Sequence, residues 1–273
     1  MEDPFEPLKC ACGNRGSVPG GRINLMRVRD RLDELEAAGD GAGAVRLLDY
    51  WLEEARSVGD QTGEILIENE YVGFYRKAGQ GEPALTHGER AMALLPEYGL
   101  EGTVTAGTTR INLATACTAF DLPERAWTLF AEARALYEDA LPPGDGRLGG
   151  LYNNMGLCAI RLGLYREGRE LFALALRTME GIPGGEGERA ITCLNLADLI
   201  SAEADGAEDE DSLIRAAEET EALVEQAWQL LNEPTLSRDA YYRFICGKCA
   251  PVMAHYGRLE EAEELRRRSV SLP

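Results

Sequence analysis

The chain has 273 residues, of which 45% are hydrophobic and only 7% aromatic. Its formal net charge at pH 7 is −19, from 47 acidic and 28 basic residues. DNA, RNA and anionic membranes each require a cationic face, so this charge argues against all three as partners. Alanine, leucine, glutamate and arginine dominate, and these helix-favouring residues indicate an all-α fold.

The sequence also indicates in which cellular compartment the protein is expected. No apolar run approaches the roughly 20 residues that a membrane span needs, and MEDPFEPLKC lacks the basic-then-apolar order of a secretory signal. Seven cysteines, an odd number, are scattered through helical patterns. This usage favours reduced thiols. We therefore expect a cytoplasmic protein.

Residues 1–21 are rich in proline, glycine and charge and have no hydrophobic period. We expect a flexible N-terminal arm here, followed by a single helical domain over residues 22–273. Cys10-x-Cys12 in the arm and Cys246-x-x-Cys249 near the other end would together supply four thiolates for zinc. The second pair lies in a helical pattern without a knuckle turn. We therefore expect buried or unreactive thiols, with no metal and no cofactor.

A turn residue followed five positions later by a small residue recurs along the chain. The interval from Gly79 to Asp121 is 42 residues, and that from Asp121 to Gly163 is 42 again. Agreement at several positions over three units predicts an internal repeat. The pairs are Gly39/Ala44, Gly79/Ala84, Asp121/Ala126, Gly163/Gly168 and Gly257/Ala262, and Ala91, Ala133 and Ala175 repeat at the same interval.

Residues 151–180 show the unit most clearly, as two amphipathic helices joined by a tight turn at 161–165. Small residues lie where the helices must touch, and large apolar residues fill the space between them, which predicts interlocking helices. The small residues are Gly156, Gly168 and Ala175, and the facing ones are Tyr152, Met155, Ala159, Leu162, Phe172 and Leu176.

This segment resembles a tetratricopeptide repeat, whose pattern has aromatic, Leu-Gly, Gly-x-Tyr, Ala, aromatic and Ala positions. A unit of 42 residues is longer than the common length of about 34, and it is similar to the repeats of kinesin light chains and of bacterial peptide-sensing regulators. The resemblance implies an α-solenoid, a right-handed superhelix of about six antiparallel helix pairs. The matching positions are Tyr152, Met155-Gly156, Gly163-x-Tyr165, Gly168, Phe172 and Ala175, with Met for Leu and Gly168 for Ala as departures.

The hydrophobic period and the turn residues predict where the helices lie. An acidic insertion over 205–211 lengthens the fifth unit by about ten residues. It lacks the alternating ligands of a calcium loop, so we expect a solvated loop with Ser212 as the helix cap. The predicted pairs are 23–38 with 42–58, 62–78 with 82–96, 103–120 with 123–140, 147–162 with 165–180, 186–203 with 211–231, and 238–255 with 258–270.

Few residues are suited to catalysis. The two histidines, His87 and His255, fall in unrelated repeat positions, and no nucleophile elbow, phosphate loop or zinc-protease motif is present. Cys117, Cys158 and Cys193 lie among small apolar residues and are predicted to be core. We therefore expect a protein that is not an enzyme.

By the resemblance, the residue before the Leu-Gly position of each first helix points into a concave groove. An asparagine there offers a donor and an acceptor, and can pair with both backbone groups of an extended peptide. A structural role, bonding a neighbouring helix, stays open. The slot residues are Asp30, Glu70, Asn112, Asn154, Asn195 and Lys248, and the flanking groove residues are Thr115, Asn153, Leu157, Arg161 and Asp198.

The carboxylate clamp of chaperone-tail-binding repeats is predicted to be missing, because the slot one turn earlier holds no cation. The sequence therefore predicts a non-enzymatic scaffold that binds a protein or peptide ligand in its groove. Two alternatives stay open: a peptide-sensing regulatory module that acts with a separate effector, and a homodimer or larger homo-oligomer. The proposed anchors for self-association are Tyr241, Tyr242 and Phe244.

Overall fold

The computed structural model describes residues 22–270. That range contains twelve α-helices and no strand, so the predicted all-α fold is confirmed. The predicted arm, with Cys10 and Cys12, lies outside the described residues. The helices are α1 (Leu25–Ala37), α2 (Gly41–Ser57), α3 (Gln61–Lys77), α4 (Gly81–Glu97), α5 (Val104–Ala119), α6 (Pro123–Ala140), α7 (Gly146–Leu162), α8 (Tyr165–Glu180), α9 (Glu186–Ala204), α10 (Glu210–Leu231), α11 (Ala240–His255) and α12 (Leu259–Val270).

The predicted helix bounds agree with the observed ones to within two residues. The turn residues explain this agreement, because the chain reverses through a left-handed backbone conformation that glycine adopts without strain. Every predicted turn residue has a positive φ, including Asp121 at 58°, the one non-glycine residue of this kind in the described chain. The other four are Gly39, Gly79, Gly163 and Gly257, with φ between 69° and 77°.

Aspartate side chains cap many of the helices. The predicted cap of α10, Ser212, is wrong, because the helix begins two residues earlier. Its cap is Asp209, whose carboxylate accepts a hydrogen bond from the Ser212 backbone N–H at 2.8 Å. Asp40, Asp60 and Asp239 cap α2, α3 and α11 in the same way.

The chain divides into two compact units at Leu122/Pro123. Unit 1 contains α1–α5, in which α3 contacts α1, α2, α4 and α5. Unit 2 contains α6–α12, in which α7 pairs with α8, α9 with α10, and α11 with α12. Helix α9 also contacts both α7 and α11, so these three first helices are neighbours. A single repeat domain over residues 22–273 stays a prediction.

Small residues permit the close helix contacts, as the sequence predicts. A Cβ added to Gly156 of α7 would lie 2.6–2.8 Å from three ring atoms of Phe172 in α8, a ring that is fully buried. Leu199 of α9 likewise occupies the space that a Cβ atom at Gly168 of α8 would need. These contacts join α7, α8 and α9 into one packed core. Within residues 22–270, no helix combines the length and the apolar character of a membrane span.

Two glycines of α7 provide a matched test of this packing. Gly150 has open space around its Cβ position, so Gly150→Ala should raise the free energy of unfolding by up to about 1 kcal/mol through helix propensity. Gly156→Ala gains the same propensity but forces the Phe172 ring to move, at a cost of about 1–3 kcal/mol. Urea unfolding followed by circular dichroism compares the two variants. Equal stability, or a more stable Gly156→Ala protein, would contradict the packing described here.

Candidate functional site

Three neighbouring helices of unit 2 each expose one row of residues. Residues at the spacing i, i+3, i+7, i+10, i+14 share one helix face. On α7, α9 and α11 none of these residues is buried. We call this set the unit 2 stripe: Arg147, Gly150, Asn154, Leu157 and Arg161 on α7; Glu188, Ile191, Asn195, Asp198 and Ala202 on α9; Tyr241, Phe244, Lys248, Pro251 and His255 on α11.

A buried amide joins α7 to α9 beside this stripe. The Asn153 side chain is 8% exposed, and its Oδ1 accepts hydrogen bonds from Asn195 Nδ2 at 2.9 Å and from Thr192 Oγ1 at 3.2 Å. Asn153 therefore lies in the interface between the two helices and not on the exposed face. Asn195 lies on the stripe, but one of its donors is used within the fold.

The neighbouring residue, Asn154, is in a different environment. It is partly exposed, and its side chain makes no hydrogen bond with any residue in the range 22–270. Leu157 is also partly exposed and Arg161 is exposed, one and two turns further along α7. The structure therefore brings these three predicted residues together on one accessible helix face.

Asp198 connects α9 to the end of α11. Its Oδ1 accepts a hydrogen bond from the Tyr256 hydroxyl at 2.8 Å, and Ser201 Oγ lies 3.2 Å from the same hydroxyl. Burial raises the pKa of Asp198, and the Tyr256 hydrogen bond opposes that rise. This carboxylate is therefore held in a fixed orientation at the edge of the stripe.

Two aromatic side chains of α11 are exposed on the stripe. Tyr241 and Phe244 are each 51% exposed and stack with ring centroids 6.0 Å apart. The Lys248 ammonium lies 5.5 Å from the centroid of the Phe244 ring. Sequence reasoning placed Lys248 on the groove but considered the aromatic pair only for self-association. The i, i+3, i+7 spacing of positions 241, 244 and 248 is the sequence signal that places all three residues on one helix face.

Tyr242 does not fit the proposed role as a self-association anchor. Its side chain is 4% exposed, and its hydroxyl donates to the Leu231 carbonyl at 3.1 Å. Burial raises the pKa of Tyr242. The residue belongs to the core between α10 and α11, where another chain cannot reach it.

Unit 1 holds the remaining predicted residues. Glu70 of α3 accepts a hydrogen bond from Arg29 Nε of α1 at 2.6 Å, so its carboxylate is already paired. Asn112 and Thr115 of α5 are partly exposed, and Thr115 Oγ1 donates to the carbonyl of Ile111 in its own helix. In unit 1 as in unit 2, a buried asparagine joins two first helices: Asn69 Nδ2 donates to Thr109 Oγ1 at 3.0 Å.

His87 and the described cysteines are engaged in packing, whereas His255 is exposed on the unit 2 stripe. His87 Nδ1 lies 2.6 Å from Glu68 Oε2, and its ring stacks on Tyr71 with centroids 4.1 Å apart. The three cysteines predicted to be core are buried, and burial raises the pKa of Cys193 to about 11. Such a thiol is a poor nucleophile.

The cysteine pair of α11, Cys246 and Cys249, is also buried, with the pKa of both thiols raised by burial. No cluster of three or more His, Cys, Asp or Glu side chains suited to a metal ion occurs between residues 22 and 270.

Neither the protein-family models nor the curated proteins match the sequence. Solved structures do resemble the fold. BtubC (BKLC) from P. vanneervenii superposes with a TM-score of 0.63 at 21% identity, covering 79% of this chain and 85% of that one. A putative kinesin light chain with nearly identical TPR-like repeats from Podosopora anserina gives 0.51 at 17% identity, covering 80% and 94%. The chain has a tetratricopeptide-type helical repeat fold.

A third structure with this tetratricopeptide-type fold is a Rap protein complexed with Competence and Sporulation Factor. It superposes with a TM-score of 0.52 at 15% identity and covers 89% of this chain and 72% of that one. At these identities the similarity concerns the fold. The predicted family resemblance is therefore confirmed at the level of the helical repeat.

The two adjacent asparagines of α7 test the difference between structural and accessible positions. Asn153→Ala leaves the Asn195 amide without its acceptor, so we expect the free energy of unfolding to fall by about 1–3 kcal/mol. Asn154→Ala removes no hydrogen bond of the described chain and should change it by less than about 0.5 kcal/mol. Thermal and urea unfolding measure both. Equal effects of the two variants would show that the buried bridge does not hold α7 against α9.

Glu188 makes stability depend on pH. It is partly buried on the unit 2 stripe, and burial raises its pKa above the ordinary value of 4.5. The folded state therefore binds the proton more tightly than the unfolded state, so stability falls as pH rises above that value.

Glu188→Gln should therefore be more stable than wild type at pH 7, with the difference disappearing below pH 4.5. Urea unfolding across this pH range measures it. Glu180→Gln on α8, which removes a carboxylate that the fold leaves exposed, serves as the matched control. A Glu188→Gln profile parallel to that of wild type would contradict this account.

Proposed function

We propose that this protein is a non-enzymatic scaffold that holds an extended peptide, or a helix of a partner protein, on the unit 2 stripe. The observation that carries the proposal is the stripe itself, in which none of fifteen positions on three adjacent helices is buried, although Leu157 and Ile191 also pack partly against the core. In a folded chain, a contiguous face of this kind with exposed aromatic side chains is typical of a binding surface.

The chemistry of the stripe suits a peptide. The Asn154 amide can pair with a peptide backbone N–H and carbonyl, because the fold leaves both its donor and its acceptor unused. Tyr241 and Phe244 are each about half exposed, so the pair offers roughly the apolar surface of one aromatic side chain. Lys248 supplies a positive charge beside it. Backbone pairing would give affinity, and the aromatic pair would give side-chain preference.

Other observations support the same class of function. The net charge of −19 favours a protein or peptide ligand over nucleic acid or an anionic membrane. Buried thiols with raised pKa values suit a cytoplasmic binding protein better than a cysteine enzyme. The Rap protein, similar in fold, was crystallised with Competence and Sporulation Factor. In unit 1, considered by itself, Asn112 and Thr115 on α5 are proposed as ligand contacts.

The exposed Tyr241–Phe244 pair also supports a second candidate, a homodimer formed through α11. The two candidates differ in what the aromatic pair contacts. Mass measured across a range of protein concentrations would rise for a dimer and stay at the monomer value for a scaffold that binds another molecule.

The test of peptide binding uses a displayed random-peptide library selected against the full chain. Peptides recovered with wild type are synthesised, and their affinity is measured by fluorescence anisotropy. Asn154→Ala/Phe244→Ala should weaken binding by roughly tenfold or more, because it removes the free amide and half of the aromatic pair.

The control is Arg166→Ala/Glu170→Ala, which breaks an exposed ion pair on α8 and should change affinity less than twofold. Equal affinity for wild type and the stripe variant would place the peptides elsewhere. Failure to recover any binding peptide would contradict the proposal.

A further inference from the structure

The N-terminal half of α10 contacts the core through Ala216, which packs against the cluster of Phe172, Leu199 and Ile200, and leaves its other apolar side chains exposed. Residues at positions 213, 217, 220, 224, 227 and 231 share one helix face by their spacing. From Thr220 to Leu231 every member of this set is buried. Leu213, at 44% exposed, and Ala217 are not covered. The stripe is therefore continuous in sequence but is covered over only part of its length.

Helix α10 is the longest of the second helices. The helix has 22 residues, whereas the other second helices have 12 to 18. Within its first ten residues, 210–219, no side chain is buried. Ile214, at 48% exposed, adds a second large apolar side chain beside Leu213. Exposed aliphatic groups of this size are unfavourable in water, which favours a partner that covers them.

The charge around this apolar end is strongly negative. Residues 205–219 contain seven acidic side chains and one basic one, Arg215. Glu210, Asp211 and Glu218 lie within one helical turn of Ile214 and form no ion pair with a described residue. By contrast, Glu219 is paired with Arg169 of α8, and the acids nearest the core are paired with Arg258. The unpaired carboxylates thus surround the uncovered apolar side chains.

We propose that this surface, the N-terminal half of α10 over residues 210–219, docks a basic amphipathic helix of a partner protein. The apolar face of such a helix would cover Leu213, Ile214 and Ala217. Lysine or arginine residues along its edges would pair with Glu210, Asp211 and Glu218. This surface lies on a second helix of its pair, and the inference does not depend on the proposed peptide binding by α7, α9 and α11.

The charge of this surface argues against two other occupants, a second copy of the chain and the segment 1–21. A second copy meeting this surface symmetrically would bring two acidic faces together, which is repulsive. Residues 1–21 carry three acidic and two basic side chains, so they have no cationic surplus to match seven acids. A basic partner is the occupant that complements both the apolar stripe and its rim.

The probe for the test is a synthetic amphipathic peptide of leucine and lysine, with leucine at i, i+3, i+4 and i+7. A peptide of the same composition without an apolar face measures binding by charge alone. Fluorescence anisotropy with the full chain should show tighter binding of the amphipathic peptide, weakening with salt. Leu213→Ser/Ala217→Ser should weaken that binding by roughly tenfold and leave the scrambled peptide unchanged.

Two further variants locate the contact. Glu210→Gln/Asp211→Asn/Glu218→Gln should weaken binding and reduce its salt dependence, whereas Glu53→Gln/Glu97→Gln/Glu260→Gln, which neutralises three exposed acids elsewhere, should change it less than twofold. All substituted residues are exposed, and circular dichroism confirms equal folding. Equal affinity for the two leucine–lysine peptides, or for wild type and the α10 variants, would overturn the inference.

The stripe variant Asn154→Ala/Phe244→Ala separates the two proposals. It should bind the leucine–lysine peptide as tightly as wild type. If it loses that binding while the α10 variants retain it, the inference about α10 is overturned and the proposed peptide site on the stripe is supported. A different result is that the stripe variant binds the selected peptides as tightly as wild type, while the α10 variants bind the leucine–lysine peptide more weakly. This result would contradict the proposed function and support the inference about α10.

Discussion

The contact between Gly156 and the Phe172 ring determines how closely α7 and α8 pack. The ring occupies the volume that a side chain at position 156 would need. Because the two helices touch there, the apolar side chains around them are fully enclosed, as expected for a close-packed interior. Gly168 against Leu199 continues the contact to α9. Helices α7 and α8 therefore turn their small residues toward the apolar side chains of the helices beside them.

This packing leaves one face of each first helix outside the core. On α7, α9 and α11 the partly or fully exposed positions recur at the same spacing, so that the three faces form adjacent rows. Polar bridges beside the rows fix their spacing. Asn153 accepts from α9, and Asp198 accepts from Tyr256 at the end of α11. The accessible residues are thus presented on a rigid support, which lowers the entropy lost on binding.

The repeat and its helices could be predicted because turn chemistry and helical period are local properties. A positive φ requires glycine or a residue such as Asp121, and that requirement is visible in the sequence. The burial of Asn153, which lies next to the predicted groove residue Asn154, could not be predicted. Asn153 and Asn154 differ by one position, about 100° around the helix, and only the direction of α9 decides which is buried.

The same limit applies to Tyr241 and Tyr242 on α11, and to the exposed end of α10. From Leu213 to Leu231 an apolar row interrupted by Thr220 follows the helical period, and this row alone does not show which end is covered. In the N-terminal half of α10 the structure packs Ala216 against the core and leaves Leu213 exposed, and that is a property of the assembled unit. The choice between Asp209 and Ser212 as the N-cap of α10 could not be predicted either, since both residue types favour the N-cap position.

The most direct measurement is site-specific photo-crosslinking on the unit 2 stripe. A benzophenone amino acid is placed at Arg161 or at His255 on the stripe, which leaves Asn154 and Phe244 in place, or at Glu170 of α8, and each full chain is irradiated with a selected peptide bound. Peptide adducts are expected from positions 161 and 255 and none from position 170. Adducts from position 170 alone, or equal yields at all three positions, would contradict peptide binding on this face.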